Sequence, residues 1–401
     1  MTTSRRADGP GRRPDQIDYR WIDRQDDLES VVDQLLTTSR YALDTEFHRE
    51  KTYFPKLALV QIAWEAEGGQ QLVLIDPLEV DIGALGRLFA TDTLCVVHAA
   101  QQDLDVLSHS VGSVPSRLFD TQLAAGFAGY STPSLSTLLQ GVIGITPAKG
   151  DRLTDWLRRP LSDSQCQYAA VDVEYLLVVH DKQVAELSAS GRLAWAEDAC
   201  EELRTRPVTG AAPEDAWLKL KDSRSLRPRA RAIARSVAAW RERRAMRTDT
   251  PVRQVLPDLA ILGIAQRAPT SAKELSQARG VDQRHVRGGI ADELLAAVEE
   301  GRRADPPAAP RSNDDLDRTL RPAVTLVSAW VSQVARVERI DTTLLATRTD
   351  IIALLCNDPE ARLGRGWRAD LVGADIRRLV EGRAALTFQG EDGLVLTDVA
   401  T

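Results

Sequence analysis

The sequence predicts an α/β domain built on a layered sheet, followed by a helical region. Short runs rich in β-branched residues occupy positions 57–64, 71–76 and 94–98, and helical stretches follow them up to about residue 206. From Trp217 onward the apolar residues recur with helical spacing. Strands that first form hairpins and then alternate with helices are typical of a sheet covered by helices.

The elements are predicted in chain order from their local signals. The strand that ends in Asp44 and the strands at 57–64 and 71–76, with a Gly68-Gly69 turn, predict an antiparallel meander. A helix around 82–90, the strand at 94–98 and a helix from about Ala100 follow. Further helices are predicted to open at 119–120, at 133–134 and at 162–163, the last running to about residue 188.

Composition shifts divide the chain into segments. Pro207, Gly210 and Pro213 mark one linker, and the Pro-rich stretch 304–310 marks another. The start of the chain is rich in Arg, Gly and Pro without an apolar core, which is unlike a secretory signal. The predicted organisation is a disordered tail (1–17), an α/β domain (18–206), a linker (207–213), a helical domain (214–300), a second linker (301–313) and a C-terminal helical domain (314–401).

Charge and cysteine content narrow the class of protein. The chain of 401 residues has a net charge of −7, but residues 18–206 hold 16 Lys/Arg against 29 Asp/Glu, whereas residues 212–300 hold 17 against 12. The acidic part is the expected place for metal ions and the basic part a separate module. The four cysteines lack metal-binding spacing and are expected to be free thiols in the cytoplasm. No apolar run of 18 residues predicts a membrane span.

Five residues in three blocks suggest a catalytic centre. Asp44 and Glu46 are two apart in a strand, so their side chains are predicted on one face. Asp103 is predicted in the first turns of a helix, and Asp105 is the alternative candidate for the acid of this block. Tyr168 and Asp172 are four apart and share one face of a helix. Carboxylates from distant elements suit hard divalent cations, so the residues alone indicate a metal-dependent phosphodiesterase.

These blocks, in this order, resemble the three motifs of the DEDD exonuclease superfamily, in the subclass whose third motif is Tyr-x-x-x-Asp. Residues 47–62, 119–125 and 155–161 resemble the ribonuclease D family more specifically. Residues 217–275 resemble an HRDC domain, and the stretch from 314 onward resembles a second one. The resemblance implies a ribonuclease H-like exonuclease domain, with a mixed sheet and flanking helices, followed by two all-α HRDC-type domains.

The same resemblance implies an activity and roles for residues. Two ions of Mg²⁺ or Mn²⁺, about 4 Å apart, would be held by Asp44, Glu46, Asp103 and Asp172, and Tyr168 would orient the attacking water. The implied enzyme is a 3′→5′ exoribonuclease that releases nucleoside 5′-monophosphates from tRNA precursors or other structured RNA, and a monomer is expected. A DNA 3′→5′ exonuclease and a non-catalytic RNA-binding scaffold remain alternatives.

Several other residues are candidates for binding substrate, each with a competing interpretation. His48, Arg49 and Lys51 follow the first motif and could reach terminal phosphates, or form a solvated loop. His98 opens the second motif, but a buried structural histidine is equally consistent. Arg159, near Trp156, could likewise reach phosphates or belong to a solvated loop. Asp120 is expected either to cap its helix or to support the metal site.

A basic stripe is predicted on the first helical domain. Positions 217–253 contain 12 Lys/Arg against three acids. Arg227, Arg231 and Arg235 recur every four residues and would lie on one helix face. Such a stripe favours contact with the RNA backbone, and a solvated helix face is the alternative.

Overall fold

The computed structural model describes residues 16–147, 154–206, 212–309 and 320–399. The predicted tail up to residue 15, most of the first linker and part of the second therefore lie outside the described residues. The described chain divides into two compact units. The first contains described residues of 1–47, 57–206 and 316–401, and the second contains residues 48–56 and described residues of 207–315.

The first unit is built on a six-stranded mixed sheet of spatial order β1-β4-β3-β2-β5-β6. β3 and β4 pair antiparallel, whereas β1 with β4, β2 with β5 and β5 with β6 pair parallel. Gly68 and Gly69, at the β3–β4 connection, have φ of 99° and 121°, which glycine adopts at no steric cost. The strands are β1 Arg20–Ile22, β2 Arg40–His48, β3 Lys56–Ala66, β4 Gly69–Ile75, β5 Leu94–Val97 and β6 Arg117–Asp120.

Helices cover both faces of this sheet. Tyr41 and Leu43 of β2 share a core with Leu104 and Leu107, while Ala42 belongs to another core on the opposite face. β3 is buried almost throughout, as expected for a strand covered on both sides. The helices of this part are α1 Gln25–Leu35, α2 Gly86–Phe89, α3 Gln101–Ser110, α4 Thr121–Gly126, α5 Leu135–Ile143, α6 Asp163–Glu174, α7 Leu176–Ala189 and α8 Leu193–Arg204.

Two local features differ from the sequence-based prediction. The helix predicted to run from 162–163 to about 188 is two helices, α6 and α7, which meet at Tyr175. Positions 117–120 form strand β6 before α4 begins, and so short a strand carries little periodic signal.

The second unit is a helical bundle with its own core. Trp217, Ile233, Ile261 and Leu294 lie in this core and are nearly inaccessible to solvent. The backbone of Ile233 passes so close to Gly301 that a Cβ at residue 301 would lie 2.6 Å from its Cα. The helices are α9 Pro228–Thr248, α10 Val252–Val255, α11 Asp258–Arg267, α12 Ala272–Leu275 and α13 Gly289–Arg303.

The loop 48–56 belongs to the second unit through contacts with α9. The Tyr53 hydroxyl donates to Glu242 at 2.7 Å. The backbone N–H groups of Tyr53 and Phe54 both donate to Asp249, each at 3.0 Å. Asp249 is the residue that ends α9 in the left-handed conformation. The end of α9 therefore fixes the backbone of this loop.

The C-terminal region shares a core with α7 and α8 of the first unit. The rings of Trp195 and Trp367 stack with centroids 5.1 Å apart. Glu202 accepts hydrogen bonds from Arg362 and Arg368, each at 2.7 Å. The elements are α14 Leu320–Glu338, α15 Thr342–Leu345, α16 Arg348–Leu355, α17 Gly366–Arg368, α18 Ala374–Val380, β7 Ala384–Phe388 and β8 Leu394–Asp398.

The β7–β8 hairpin is a difference from the all-helical prediction for this region. β7 and β8 pair antiparallel, from Ala384 with Asp398 to Phe388 with Leu394. Gly390 and Gly393, between the strands, have positive φ values of 56° and 73°. Across the described ranges, no helix combines the length and apolar character that crossing a membrane requires.

Candidate active site

Strand β2 presents the first two acids just beyond the point where its parallel neighbour β5 ends. Tyr41 pairs with Cys95 and Ala42 with Val96, so β5 ends as β2 reaches Asp44. The buried run Tyr41–Ala42–Leu43 anchors the strand in the core. Asp44 and Glu46 are half-buried, whereas Thr45 between them is 5% exposed. This alternation places both acids on one face, as predicted.

Helix α6 brings Asp172 to these acids. A capping box between Ser162 and Gln165 starts the helix. Its buried residues recur at helical spacing and pack on the face of the sheet that holds Ala42: Cys166, Ala169, Ala170 and Val173. One carboxylate oxygen from each of Asp44, Glu46 and Asp172 lies within 4.8 Å of the other two.

Asp103 reaches the site from the other face of the sheet. Its helix α3 packs through Leu104 and Leu107 against the core that contains Leu43. The Asp103 side chain is nearly buried, and the Thr45 hydroxyl donates a hydrogen bond to it. The Asp103 carboxylate therefore approaches the cluster of Asp44, Glu46 and Asp172 from the face of the sheet that holds Thr45, and it is not one of the three members of that cluster.

The electrostatics tie all four acids together. Burial, followed by repulsion from Asp103, Asp172 and Glu46, raises the pKa of Asp44 well above its ordinary value. Burial and the charges of Asp172 and Asp103 raise the pKa of Glu46 to about 8. Burial also raises the pKa of Asp103 to about 6, although the Thr45 hydrogen bond opposes this shift.

These raised pKa values indicate how the site fits a divalent cation. Their causes are burial and neighbouring negative charge, so the carboxylates lack sufficient positive compensation. A bound divalent cation would supply that compensation. Carboxylate oxygens, here from β2 and α6, are also the ligands that hard ions such as Mg²⁺ and Mn²⁺ prefer. The arrangement therefore suits divalent metal binding.

Tyr168 lies on α6 one helical turn before Asp172, as predicted. Its ring lies beside that of Trp156, with centroids 6.2 Å apart. Trp156 is 7% exposed. Trp156 therefore restricts the position of the phenol. No role was predicted for Trp156, although it falls within the family-like stretch 155–161.

His98 is held on both sides of its ring. Its Nε2 lies 3.2 Å from the Pro133 carbonyl oxygen and its Nδ1 lies 3.0 Å from the Thr121 hydroxyl. Burial lowers the pKa of His98, which favours the neutral ring. Because a carbonyl only accepts, Nε2 then carries the proton, while the Thr121 hydroxyl beside Nδ1 donates to the Val97 carbonyl oxygen at 2.9 Å. These contacts hold the ring in place, and a role of His98 in substrate binding remains a prediction.

Arg159 is engaged by the protein rather than presented to solvent. Its Nε and Nη2 donate to the two carboxylate oxygens of Asp76 at 2.5 and 2.7 Å. Further bonds reach the carbonyls of Ala58 and Trp156, each at 2.7 Å. The side chains of Asp76 and Arg159 are 3% and 21% exposed, so the ion pair is largely buried, and a role of Arg159 in substrate binding remains a prediction. In the sequence, Asp76 could have been singled out as an acidic residue directly after the apolar strand β4.

The remaining substrate candidates lie on or next to the loop 48–56. His48 is the last residue of β2 and is half-buried, whereas Arg49 and Lys51 are exposed. Their role in substrate binding remains a prediction.

The predicted basic stripe is uneven. Arg227 and Arg235 are exposed, but Arg231 is only half-exposed. One of its guanidinium nitrogens faces the Leu226 carbonyl at 3.5 Å. Arg227 and Arg235 are therefore the members of the stripe best placed for a phosphate backbone.

Known proteins share both the domains and their order. A 3′–5′ exonuclease family matches residues 19–188, and the HRDC domain family matches residues 230–298. Ribonuclease D of Acidiphilium cryptum is 35% identical over 377 residues, covering 92% of this chain and 95% of that protein. Ribonuclease D of Escherichia coli is 33% identical, covering 91% of this chain and 99% of that protein.

Solved structures agree with this relationship. The crystal structure of E. coli RNase D, an exoribonuclease involved in structured RNA processing, matches with a TM-score of 0.81 and 32% identity, over 91% of this chain and 99% of that one. The catalytic core of RRP6 from Trypanosoma brucei matches with a TM-score of 0.53 and 26% identity, over 70% of this chain and 79% of that one. These matches confirm the family resemblance and the predicted fold class. The chain belongs to the ribonuclease D family of 3′–5′ exoribonucleases.

Proposed function

We propose that this protein shortens RNA from the 3′ end by hydrolysis with two divalent metal ions, releasing nucleoside 5′-monophosphates. The observation that carries the proposal is the cluster of Asp44, Glu46 and Asp172, whose oxygens lie within 4.8 Å of one another. The raised pKa values of Asp44 and Glu46 support it, because they reflect burial and mutual repulsion of carboxylates, both of which a bound cation would offset.

Each residue of the site has a proposed role. Asp44, Glu46 and Asp172 bind the metal ions, and Asp103 completes the ligand set from the other face of the sheet. A pair of divalent ions supplies a water-derived nucleophile near neutral pH and stabilises charge on the attacking and leaving oxygens. Tyr168 holds the attacking water through its hydroxyl, while Trp156 limits movement of the ring. An ordinary phenol is a weak base at neutral pH, so Tyr168 orients the water rather than deprotonating it.

The proposed substrates are tRNA precursors and other stable RNAs with structured 3′ regions. The similarity to E. coli RNase D, an exoribonuclease involved in structured RNA processing, supports this choice. Two exposed cations, Arg227 directly before α9 and Arg235 within it, support contact with an RNA backbone. The four free cysteines, three of them buried, support action in a reducing cytoplasm.

A cleavage assay on matched polymers tests this proposal. A 5′-labelled RNA and a DNA of the same sequence are incubated with Mg²⁺, with Mn²⁺ or with EDTA. We expect stepwise shortening of the RNA in either metal, 5′-monophosphates as products, and no reaction in EDTA. Equal shortening of the DNA would favour the DNA exonuclease alternative, and no cleavage of either polymer would favour the scaffold.

The number of ions is tested separately by titrating the metal-free protein with Mn²⁺. We expect two ions per chain for wild type in the presence of a non-hydrolysable RNA. A stoichiometry of one would contradict the two-metal mechanism without affecting the polarity of cleavage.

A further inference from the structure

The Asp120 carboxylate joins two strand-to-helix junctions. Asp120 ends β6 and pairs with Val97, which ends β5. Its Oδ1 accepts from the N–H groups of Gln122 and Leu123 at 2.8 and 3.2 Å, which caps α4. The same carboxylate also accepts from the turn that precedes α3, through the N–H groups of Ala99 at 3.1 Å and Ala100 at 2.9 Å.

The turn before α3 needs this support. Ala99 has a φ of 60°, in the left-handed region that an L-residue with a Cβ adopts at a cost. Ala100 immediately precedes α3 and has no side chain that could cap the helix. Asp120 therefore provides acceptors that the local sequence lacks, and it stabilises a backbone conformation that alanine disfavours.

We propose that Asp120 is a positioning residue, which fixes the start of α3 so that Asp103 stands beside the acidic cluster. Asp103 is the third residue after Ala100, in the first turn of α3. Because Ala99 and Ala100 lead directly into the turn of α3 that holds Asp103, a change in their backbone positions would displace the Asp103 carboxylate. This inference rests on the proposed role of Asp103 as a metal ligand.

The chemistry of this position requires a carboxylate. Both oxygens are used, and Asp120 is 1% exposed, so water does not readily replace a lost acceptor. An amide in its place would offer one accepting oxygen and turn an N–H group toward another N–H donor. Residues that orient a metal ligand from behind typically change metal affinity or activity by 10- to 100-fold when they are replaced.

The variant Asp120→Asn tests the proposal, with Asp341→Asn as its matched control. Asp341 is also buried and also caps a helix, accepting from the Thr343 N–H at 2.7 Å. The Mg²⁺ midpoint is the concentration that gives half-maximal metal binding, and it is fitted from the rise in melting temperature with Mg²⁺ concentration. Hydrogen exchange is followed in the peptide that spans residues 98–107. We expect Asp120→Asn to shift the Mg²⁺ midpoint upward by about tenfold or more and to accelerate exchange at the start of α3. Asp341→Asn should lower stability while leaving both readouts unchanged.

A second variant keeps the test informative if Asp120→Asn folds poorly. In Ala99→Gly/Asp120→Asn, glycine removes the cost of the left-handed turn, so the chain should fold while the start of α3 stays unrestrained. We expect this double variant to retain the shifted Mg²⁺ midpoint. A wild-type midpoint in either folded variant would overturn the proposal and leave Asp120 as a helix cap only.

The variant Asp103→Asn separates this inference from the proposed function. If Asp103→Asn also leaves the Mg²⁺ midpoint unchanged, the ligand assignment itself is wrong. If Asp103→Asn shifts the midpoint and Asp120→Asn does not, only the positioning role fails.

Discussion

The hydroxyl of Thr45 donates a hydrogen bond to the carboxylate of Asp103, linking strand β2 to helix α3 next to the acidic cluster. The hydrogen bond lowers the pKa of Asp103 and opposes the effect of burial, which raises it to about 6. Thr45 therefore helps to keep a buried carboxylate ionised, which is the form that binds a metal ion.

Replacing Thr45 with valine should weaken metal binding near neutral pH. A hydrogen bond to a charged group contributes about 1.5–3 kcal/mol, so its loss raises the pKa of Asp103 and favours the protonated form. We expect the Mg²⁺ concentration for half-maximal activity to rise about tenfold, and the difference to shrink as the pH increases. Thr45→Ser keeps the hydroxyl and should behave like wild type; equal effects of both substitutions would contradict this role.

The metal-free protein should lose stability as the pH rises. The folded pKa of Glu46 is about 8, above the ordinary value of 4.5, so between these values the folded state retains a proton that the unfolded chain has released. The free energy of unfolding then falls with pH, with a contribution of about 1.4 kcal/mol per pH unit.

This pH dependence is measured by urea unfolding in EDTA. Glu46→Gln should reduce the decline between pH 5 and 8, although Asp44 and Asp103 still contribute to it, whereas Glu67→Gln, at an exposed position, should retain the full decline. Saturating Mg²⁺ should reduce the decline in wild type. Identical slopes for wild type and Glu46→Gln would show that the folded protein does not raise the pKa of Glu46.

Arg159→Gln should affect stability rather than RNA binding. Removing the guanidinium leaves Asp76 buried without its partner, and breaking such a pair costs about 3–5 kcal/mol. We expect a lower free energy of unfolding and an unchanged dissociation constant for RNA in the folded variant. Arg158→Gln, at an exposed neighbouring position, should leave stability unchanged. A weaker RNA complex without loss of stability would restore the substrate-binding interpretation of Arg159.

The exposed Arg227, directly before α9, and Arg235, within it, should contribute to the salt dependence of RNA binding. Each phosphate contact on a single strand adds about 0.7 to the slope of log affinity against log salt. Arg227→Gln/Arg235→Gln should therefore reduce the slope by up to about 1.4, and Arg231→Gln should change it less because Arg231 is half-buried. Arg24→Gln, directly before α1 and with a side chain that is 73% exposed, is a control for the general effect of charge. An unchanged slope in the double variant would return these residues to a solvated helix face.

The sequence predicted the parts of the fold that have strong local periodicity. Alternation along β2 placed Asp44 and Glu46 on one face, and the four-residue spacing of Tyr168 and Asp172 placed both on one side of α6. The strand β6 was missed because a segment of four residues is too short to show a clear alternation of apolar and polar residues.

Contacts between residues that are far apart in the sequence could not be predicted. Nothing in the positions of Thr45 and Asp103 indicates that they share a hydrogen bond, since it depends on how α3 packs on the sheet. The ion pair of Arg159 and Asp76 likewise depends on tertiary structure. In the sequence, an arginine near Trp156 is equally consistent with a substrate-binding site. Such pairs become visible only when the elements are assembled.

The rate of RNA shortening by Asp44→Asn tests the central claim most directly, which is that these carboxylates bind the metal ions that drive hydrolysis. Metal ions contribute several kcal/mol to such reactions, and about 4 kcal/mol corresponds to roughly a thousandfold. At saturating RNA and Mg²⁺ we predict a loss of about that size with nearly unchanged RNA affinity, and near wild-type rates for the control Asp105→Asn. A wild-type rate for Asp44→Asn would contradict the account.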